Sequence, residues 1–166
     1  AVFATLLMLL ATGAEAAEVT IVSDNYGVPH NFGATYTAGA YELALEYCKK
    51  REQFGQAIAG FQLVQDRLAQ MLANLVSAQG MVVRLSQLQD QGELREEHAS
   101  LAKMFCTVKM RETVGLAREL LGGNGILLNH HVGRFVADAE AIYSYEGTRE
   151  INALIVGRAI TGLGAF

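Results

Sequence analysis

A chain of 166 residues with a formal net charge of −4 has the size of one domain and lacks the basic excess that a nucleic-acid partner would require. Hydrophobic residues make up 51% of the sequence, proline occurs once and tryptophan is absent, which favours long helices over a sheet. The apolar run near the N-terminus is shorter than the ~20 residues that a bilayer span needs, so no membrane span is expected.

The chain begins with a lead-in, residues 1–32, whose structure the sequence leaves uncertain. Residues 1–17 are largely apolar, and Ala14-Glu15-Ala16 has the small-residue pattern of a signal-peptide cleavage site. The segment lacks the basic start of a signal peptide, however. A short helix buried against the rest of the protein is therefore the favoured interpretation.

Apolar residues recur every three or four positions in later segments, which predicts amphipathic helices. The predicted helices cover residues 34–53, 60–89, 94–121, 132–139 and 149–163. The first is expected to stop at Gln53-Phe54-Gly55, with Gly55 as a C-cap. Long helices joined by short glycine-containing turns predict an all-α, up-and-down four-helix bundle over residues 33–166.

Each long helix has one face that is expected to be buried, because apolar side chains line it at helical spacing. The predicted core residues are Tyr36, Ala40, Leu43, Ala44 and Tyr47 on the first helix, Phe61, Val64, Leu68, Met71, Leu72, Leu75, Val76, Val82 and Leu85 on the second, Leu101, Phe105, Val108 and Leu116 on the third, and Ile151, Leu154, Ile155 and Ala159 on the last. These faces should pack together as the core of the bundle.

The cysteines and histidines suggest neither a disulfide nor a metal site. Cys48 and Cys106 form no CxxC pair, so we expect core thiols in a protein of a reducing compartment. His130 and His131 are adjacent and point in different directions on regular backbone, and no cysteine or carboxylate stands at ligand spacing beside them. The sequence therefore predicts no metal ion.

The stretch with the most chemical character is Tyr145-Glu146-Gly147-Thr148, which lies between two apolar segments. Apolar surroundings would disfavour the ionised form of Glu146, and a general base that removes a weakly acidic proton needs such tuning. Gly147 allows close approach of the backbone to a ligand, and Thr148 offers a hydroxyl or a helix N-cap. Taken alone, a carboxylate that is favoured by the helix dipole at a helix start remains the preferred interpretation.

Two further motifs lie upstream. In Gly122-Gly123-Asn124-Gly125, glycines after a helix either let backbone N–H groups face a ligand or stop the helix in a left-handed conformation. No strand precedes this turn, so it is not a dinucleotide-binding G-x-G-x-x-G. In Arg51-Glu52-Gln53-Phe54-Gly55, arginine suits a phosphate and phenylalanine suits a flat ring, although a plain helix terminus is the simpler alternative.

In this order and spacing, the three motifs Arg51-Glu52-Gln53-Phe54-Gly55, Leu121-Gly122-Gly123-Asn124-Gly125 and Tyr145-Glu146-Gly147-Thr148 resemble the C-terminal domain of the acyl-CoA dehydrogenases. The resemblance extends from about residue 33 to residue 166. Within the family, residues 153–162 are most similar to the end of the glutaryl-CoA dehydrogenases.

The resemblance implies a flavoprotein that carries FAD and performs α,β-dehydrogenation of an acyl-CoA thioester. Glu146 would be the catalytic base that removes the α-proton, and the β-hydrogen would leave as hydride to the flavin. The implied substrate-binding residues are Tyr145 and Gly147, and Thr148 would reach the flavin. The residues implied to contact the FAD of a neighbouring subunit are Arg51, Phe54, Gln62, Gly122 and Gly123.

The family also implies partners. These are an electron-transfer flavoprotein as electron acceptor and further copies of the chain in a homodimer or homotetramer, in the bacterial cytoplasm or the mitochondrial matrix. Family members also have an N-terminal helical domain and a middle β-domain, so we expect this chain to be one part of a larger dehydrogenase. The alternatives are a non-catalytic oligomerisation module of the same fold and an acyl-CoA oxidase.

Two positions depart from the family pattern. Glu119 stands in a region where many relatives carry a glutamine that contacts the cofactor. Asn25 and Tyr26 are the nearest residues to a position where relatives carry an arginine near CoA.

Overall fold

The computed structural model describes residues 31–164, with side chains from residue 35 onward, so the lead-in with Asn25 and Tyr26 lies outside it. The elements are α1 (Asn31–Lys50), β1 (Glu52–Gln53), β2 (Gln56–Ala57), α2 (Gln62–Asp90), α3 (Glu96–Leu120), α4 (Val132–Ser144) and α5 (Arg149–Thr161), with short 3₁₀ turns at Ile58–Gly60, Gly122–Ile126 and Leu128–His130. The predicted all-α class is confirmed. Only α4 is clearly longer than predicted, because its helical backbone continues to Ser144 rather than ending at residue 139.

Neighbouring helices alternate in direction. The β1–β2 hairpin reverses the chain between α1 and α2. Arg67 Nη2 on α2 lies 3.4 Å from Glu119 Oε2 near the end of α3, whereas Ala78, later on α2, lies beside Cys106, earlier on α3. Helices α2 and α3 are therefore antiparallel, as an up-and-down bundle requires.

Helices α4 and α5 together form the fourth limb of the bundle. Arg111 Nε on α3 lies 2.7 Å from Glu140 Oε1 on α4. Further along, Arg158 Nη2 on α5 lies 3.7 Å from Glu96 Oε2 at the start of α3. Both helices thus run antiparallel to α3, and residues 145–148 interrupt this limb.

Helix α3 is central, since it packs against α1, α2, α4 and α5. Its buried residues are mostly small: Ala99, Ser100, Ala102, Cys106, Thr107, Met110, Thr113, Val114, Ala117 and Leu120. The predicted face was wrong, because Leu101 and Val108 are 40% and 38% exposed, and Phe105 and Leu116 are only partly buried. Small side chains let neighbouring backbones approach closely, so α3 turns mainly small residues inward where several helices meet, and the larger Met110 and Val114 fill the space that remains.

The predicted faces of the first two helices are largely confirmed. Ala40 and Ala44 of α1 are fully buried, and Met71 of α2 is buried with them in the core cluster. Leu72 and Val76 were predicted for the same core but are exposed. They lie on the side of α2 that faces away from α1 and α3, which the apolar period alone does not reveal.

The predicted apolar side of α5 was also wrong. Ile151, Leu154 and Ala159 are exposed, whereas the polar Asn152 is buried. Helix α5 packs chiefly against α3 and therefore buries only a narrow strip of its surface.

A two-residue hairpin follows α1, which ends at Lys50 rather than at the predicted Gln53. Gly55 is not a helix C-cap but the second residue of a tight turn, in which Phe54 and Gly55 have φ values of 53° and 83°. Two successive residues with positive φ are typical of turns whose twist matches an antiparallel hairpin. Lys49 and Lys50 occupy the last turn of α1, where their charges complement the helix dipole.

Between residues 31 and 164, no helix combines the length and apolar character that crossing a bilayer demands. Over the side chains placed in the same part of the chain, no three histidine, cysteine, aspartate or glutamate residues gather as they would around a metal ion.

Both cysteines are free thiols in the core, as the sequence predicted. Cys48 is fully buried and Cys106 is 5% exposed. Burial raises the pKa of the Cys48 thiol, and it raises the pKa of Cys106 to about 11. Because the thiolate is the reactive form, both side chains should be chemically inert in the folded protein.

We expect a disulfide reagent such as DTNB to leave both thiols unmodified in the native protein at about pH 8, and to modify both after denaturation. The unfolded chain releases the Cys106 proton near the ordinary pKa of 9.0, whereas the folded chain holds it to about 11. The folded state therefore binds more protons in this window, and stability should fall as the pH rises through it. Urea unfolding across the window tests this, and Cys106→Ala should remove that part of the decline. Rapid native labelling of either thiol would contradict the core assignment.

Candidate functional site

The turn between α4 and α5 consists of Tyr145, Glu146, Gly147 and Thr148, and we call it the α4–α5 turn. Glu146 and Gly147 have φ values of 55° and 80°, so two successive residues are left-handed. Glycine adopts this conformation readily, but for glutamate it costs on the order of 1–3 kcal/mol. Such a cost at a non-glycine residue persists only where the surrounding structure fixes the backbone.

Two side chains fix this backbone through its carbonyl oxygens. Lys103 Nζ on α3 donates to the carbonyl oxygen of Tyr145 and, at 3.0 Å, to that of Glu146. Asn152 Nδ2 on α5 donates to the carbonyl oxygens of Gly147 and Thr148 at 2.9 and 3.0 Å. All carbonyl oxygens of the turn are thus hydrogen bonded to side chains outside it.

The side chain of Glu146 is exposed and borders a shallow pocket between α3 and α5. The residues that line this pocket are Glu96, Ala99, Ser100, Glu146, Gly147, Ile151, Asn152 and Ile155. The apolar surroundings expected from the flanking sequence are therefore not supplied to Glu146 by residues 31–164. Of the flanking residues, Ile151 and Ile155 line the same pocket, but the Glu146 side chain itself remains exposed to solvent.

Thr148 is the N-cap of α5, one of the two roles that the sequence offered for it. Its Oγ1 accepts a hydrogen bond from the backbone N–H of Ile151 at 3.3 Å. The backbone N–H of Glu150 and the Thr148 hydroxyl both hydrogen bond to the Glu150 carboxylate and lower its pKa. The hydroxyl proton of Thr148 therefore already has an acceptor within the protein.

At the opposite end of the bundle, the hairpin presents a basic and an aromatic side chain. Arg51 is exposed, and its backbone is fixed by bonds from its N–H to Tyr47 O and from the N–H of Ile58 to its carbonyl oxygen, both 2.8 Å long. Phe54 is 93% exposed, and its ring meets Phe61 edge-on with 6.2 Å between the ring centroids. The two side chains are therefore open to a ligand while their backbone is ordered.

The glycines after α3 do two different things. Gly122 has φ 57° and stops the helix in the left-handed conformation. No heavy atom lies within 4 Å of where a Cβ would stand at Gly122 or Gly123, so this backbone is open to a neighbour. A Cβ at Gly125, in contrast, would lie 2.3 Å from the carbonyl oxygen of Arg118, so Gly125 serves the close packing of the turn.

One hydrogen bond and the chain order place these glycines and the hairpin at one end of the bundle. Asn124 Nδ2 donates to Tyr47 Oη at 3.0 Å, which joins the turn after α3 to the last part of α1. Gln62 is the exposed first residue of α2 and directly follows the hairpin segment. We call Arg51, Phe54, Gln62, Gly122 and Gly123 the hairpin-end group.

The hairpin-end group and the α4–α5 turn lie far apart. Lys103 binds the turn, and Gly122 lies two residues beyond Leu120, the last residue of α3. At 1.5 Å per residue, the helix between them spans roughly 25 Å. The predicted site residues therefore form two groups at opposite ends of the bundle, which no small ligand can bridge within one chain.

Lys103 and Asn152 were not among the residues that the sequence indicated. Lys103 stands 42 and 43 residues before its partners Tyr145 and Glu146, so no local pattern connects them. Asn152 is buried on a helix whose apolar residues were expected to face inward. A polar residue among apolar ones at the start of α5 was the only available signal.

The fold and the two groups define the helical-bundle domain of a known enzyme family. Residues 32–161 match the family model of the acyl-CoA dehydrogenase C-terminal domain. The chain belongs to the acyl-CoA dehydrogenase family, as its motifs suggested.

Several solved structures of dehydrogenases are similar to this chain in sequence and fold. The chain is similar to glutaryl-CoA dehydrogenase from Mycobacterium smegmatis, with 36% identity and a TM-score of 0.81 over 85% of this chain and 36% of that one. A glutaryl-CoA dehydrogenase from the same organism in complex with FADH2 gives 30% identity and a TM-score of 0.81, with the same coverage. Acyl-CoA dehydrogenase from Geobacillus kaustophilus gives 27% identity and a TM-score of 0.75 over 78% of this chain and 34% of that one. The chain spans about a third of the length of these structures.

Gly125→Ala should destabilise the bundle, because the new methyl group would overlap the carbonyl oxygen of Arg118. Overpacking of this kind costs about 1–3 kcal/mol. Gly123→Ala is the matched control, since its methyl group would meet open space and the unfolding free energy should be unchanged. Urea unfolding followed by circular dichroism measures both. Equal stability of the two variants would show that the close approach at Gly125 is not required.

Proposed function

We propose that this chain contributes the catalytic base and the subunit-crossing cofactor contacts of a flavin-dependent acyl-CoA dehydrogenase. One observation carries the proposal. Glu146 stands on a turn whose backbone is fixed by hydrogen bonds and whose carboxylate is left open beside a pocket. A carboxylate held by its backbone and free at its oxygens can accept a proton from a bound molecule.

Glu146 would remove the α-proton of an acyl-CoA thioester. This proton is weakly acidic, so the base needs a site from which water is excluded and in which its charge is less stabilised than in water. The exposed Glu146 lacks that environment in the described part of the chain. We propose that the bound thioester, with the parts of the protein that cover it, completes the environment.

The neighbours of Glu146 would orient the substrate. The Tyr145 ring is 39% exposed and lies 5.5 Å from Lys103 Nζ, so one edge of it is available to an acyl chain. Gly147 has no side chain that could obstruct approach from the pocket. Thr148 would turn its hydroxyl proton from the Glu150 carboxylate towards a flavin, while its oxygen caps α5.

The hairpin-end group fits FAD. The exposed guanidinium of Arg51 can bind a phosphate, the Phe54 ring can stack on a flat heterocycle, and the amide of Gln62 can bond to a polar edge. Gly122 and Gly123 offer backbone N–H groups without side chains in the way. When bound, FAD supplies the acceptor for the β-hydrogen, which leaves as hydride.

The separation of roughly 25 Å along α3 favours a site that two copies share. The α4–α5 turn of one copy and the hairpin-end group of another would serve the same FAD. A homodimer is the smallest closed assembly that offers this arrangement, and a homotetramer can contain it.

We infer a substrate related to glutaryl-CoA, because a glutaryl-CoA dehydrogenase shares 36% identity with 85% of the chain. An electron-transfer flavoprotein is the proposed acceptor. The two buried free thiols suit a reducing compartment, such as the bacterial cytoplasm or the mitochondrial matrix.

Glu146→Gln in the purified, FAD-supplied protein should lower the rate of flavin reduction by glutaryl-CoA by on the order of 10²- to 10⁴-fold, because the amide cannot take the α-proton. Flavin content and circular dichroism should not change. Stopped-flow absorbance of the flavin measures the rate. Glu140→Gln is the matched control, since Glu140 is also an exposed glutamate, lies on α4 and pairs with Arg111, but does not line the pocket, and it should react normally. A normal rate in Glu146→Gln would remove Glu146 from the role of base.

Mixing two inactive variants tests the shared site. Arg51→Ala should lose FAD affinity while keeping its fold, and Glu146→Gln should bind FAD but not react. If each site takes Arg51 from one copy and Glu146 from another, randomly mixed dimers should recover about one quarter of the wild-type activity, because half are mixed and each of these has one intact site. Activity after co-refolding is measured at a FAD concentration that saturates the wild type but not Arg51→Ala, so that each variant alone stays inactive. Lys49→Ala serves as the control for Arg51→Ala. Absence of recovery would place both residues in one copy's site.

A further inference from the structure

We propose that Lys103 and Asn152 are positioning residues that set the direction of the Glu146 carboxylate by holding the backbone of the α4–α5 turn from both sides. This inference rests on the proposed role of Glu146. The hydrogen bonds of both side chains go to backbone carbonyl oxygens of the turn, and not to the carboxylate oxygens of Glu146. Lys103 and Asn152 therefore act on Glu146 through the backbone of four consecutive residues.

Lys103 lies on α3, the helix that the rest of the bundle packs around. Its ammonium group donates to the carbonyl oxygens of Tyr145 and Glu146 and lies 5.5 Å from the centroid of the Tyr145 ring. Lys103 is partly buried, so its side chain has lost part of its hydration. The hydrogen bonds to the carbonyl oxygens replace water contacts that a fully exposed lysine would keep. Burial lowers the pKa of Lys103, and the nearby charge of Glu146 opposes this by raising it.

Lys103 hydrogen bonds to the backbone of Glu146 and not to its carboxylate, which distinguishes a positioning role from an ordinary salt bridge. The lysine donates to the main chain of Glu146, at 3.0 Å, and thereby leaves the carboxylate oxygens available to a substrate. Lys103 thus fixes the backbone of Glu146 and does not engage its carboxylate oxygens.

Asn152 holds the other half of the turn. Its side chain is 7% exposed and donates to Gly147 O and Thr148 O, while its backbone N–H also donates to Thr148 O at 3.0 Å. It lies 3.4 Å from the point where a Cβ of Gly147 would stand, so the amide packs directly under the turn. An apolar residue in its place would leave the carbonyl oxygen of Gly147 without this donor, whereas Thr148 O would keep the backbone N–H of residue 152.

Together the two donors explain how Glu146 keeps a left-handed backbone. With φ at 55°, the residue directs its side chain away from the path it would take in a continuous helix. Without the donors, the turn is free to relax towards right-handed conformations, which rotates the Cα–Cβ bond of Glu146 away from the pocket. We therefore expect loss of either donor to impair catalysis by misdirecting the base rather than by removing it.

The test uses Lys103→Met, Lys103→Arg and Asn152→Asp, with Lys109→Met as the matched control. Lys109 lies on the same helix and is partly buried, but its ammonium binds Glu112 and not the turn. Arginine at 103 keeps a donor for the carbonyl groups, and aspartate at 152 keeps the shape of asparagine while removing its N–H donors.

The first measurement needs no activity. Hydrogen exchange of the Ile151 and Asn152 amides, whose bonds to Thr148 report on the turn, should accelerate about tenfold in Lys103→Met and Asn152→Asp. Lys103→Arg and Lys109→Met should exchange as the wild type does. Unchanged exchange in both Lys103→Met and Asn152→Asp overturns the proposal, whether or not the wild type dehydrogenates any thioester.

The second measurement is flavin reduction by glutaryl-CoA. Lys103→Met should lower kcat at least about tenfold with little change in KM, since substrate contacts remain. Lys103→Arg should recover most of the lost rate, because arginine keeps a donor for the carbonyl groups. A wild-type kcat in Lys103→Met overturns the positioning role. An inactive wild type with faster exchange in the variants refutes the proposed function but supports the fixing of the turn by these two donors.

Discussion

The close approach of four helices to α3 is the constraint on which the structure depends. Alanine, serine, threonine and cysteine make up most of the inward surface of this helix, so α1, α2, α4 and α5 can all pack against it. On this surface, the buried Asn74 Nδ2 of α2 donates a hydrogen bond to Thr113 Oγ1 of α3 at 3.2 Å. Every feature with chemical character is attached to one end of α3 or the other. The small residues of α3 therefore determine where the reactive groups lie, although none of them is reactive.

The break between α4 and α5 gives Glu146 a position that it would not have on a continuous helix. A continuous helix from α4 into α5 would use its carbonyl groups internally and would place Glu146 on a helical surface. The left-handed pair Glu146 and Gly147 breaks the hydrogen-bond ladder, and Lys103 and Asn152 satisfy the carbonyl groups that the break releases. The strain at Glu146 and the donors that sustain it thus belong to one arrangement.

The sequence predicted the helices well because their period is local, and it predicted the motifs because glycine and charged residues stand out. It failed for the inward face of α3, where Leu101 and Val108 obeyed the period but the small residues beside them were buried. Helical spacing identifies apolar faces of a helix, but the number and position of the helices packed around it decide which face is buried. The contact between Lys103 and the α4–α5 turn was beyond reach for a related reason, since it joins residues 42 positions apart.

The length of α3 also sets the distance between the α4–α5 turn and the hairpin-end group. The rise and the rotation per residue of an α-helix are fixed, so the residue count from Lys103 to Gly122 sets both the separation and the relative orientation of the two ends. Removing a single residue from that span would shorten it by about 1.5 Å and rotate one end by about 100° relative to the other. The protein should therefore tolerate substitutions on the outer surface of α3, but not insertions or deletions between Lys103 and Gly122.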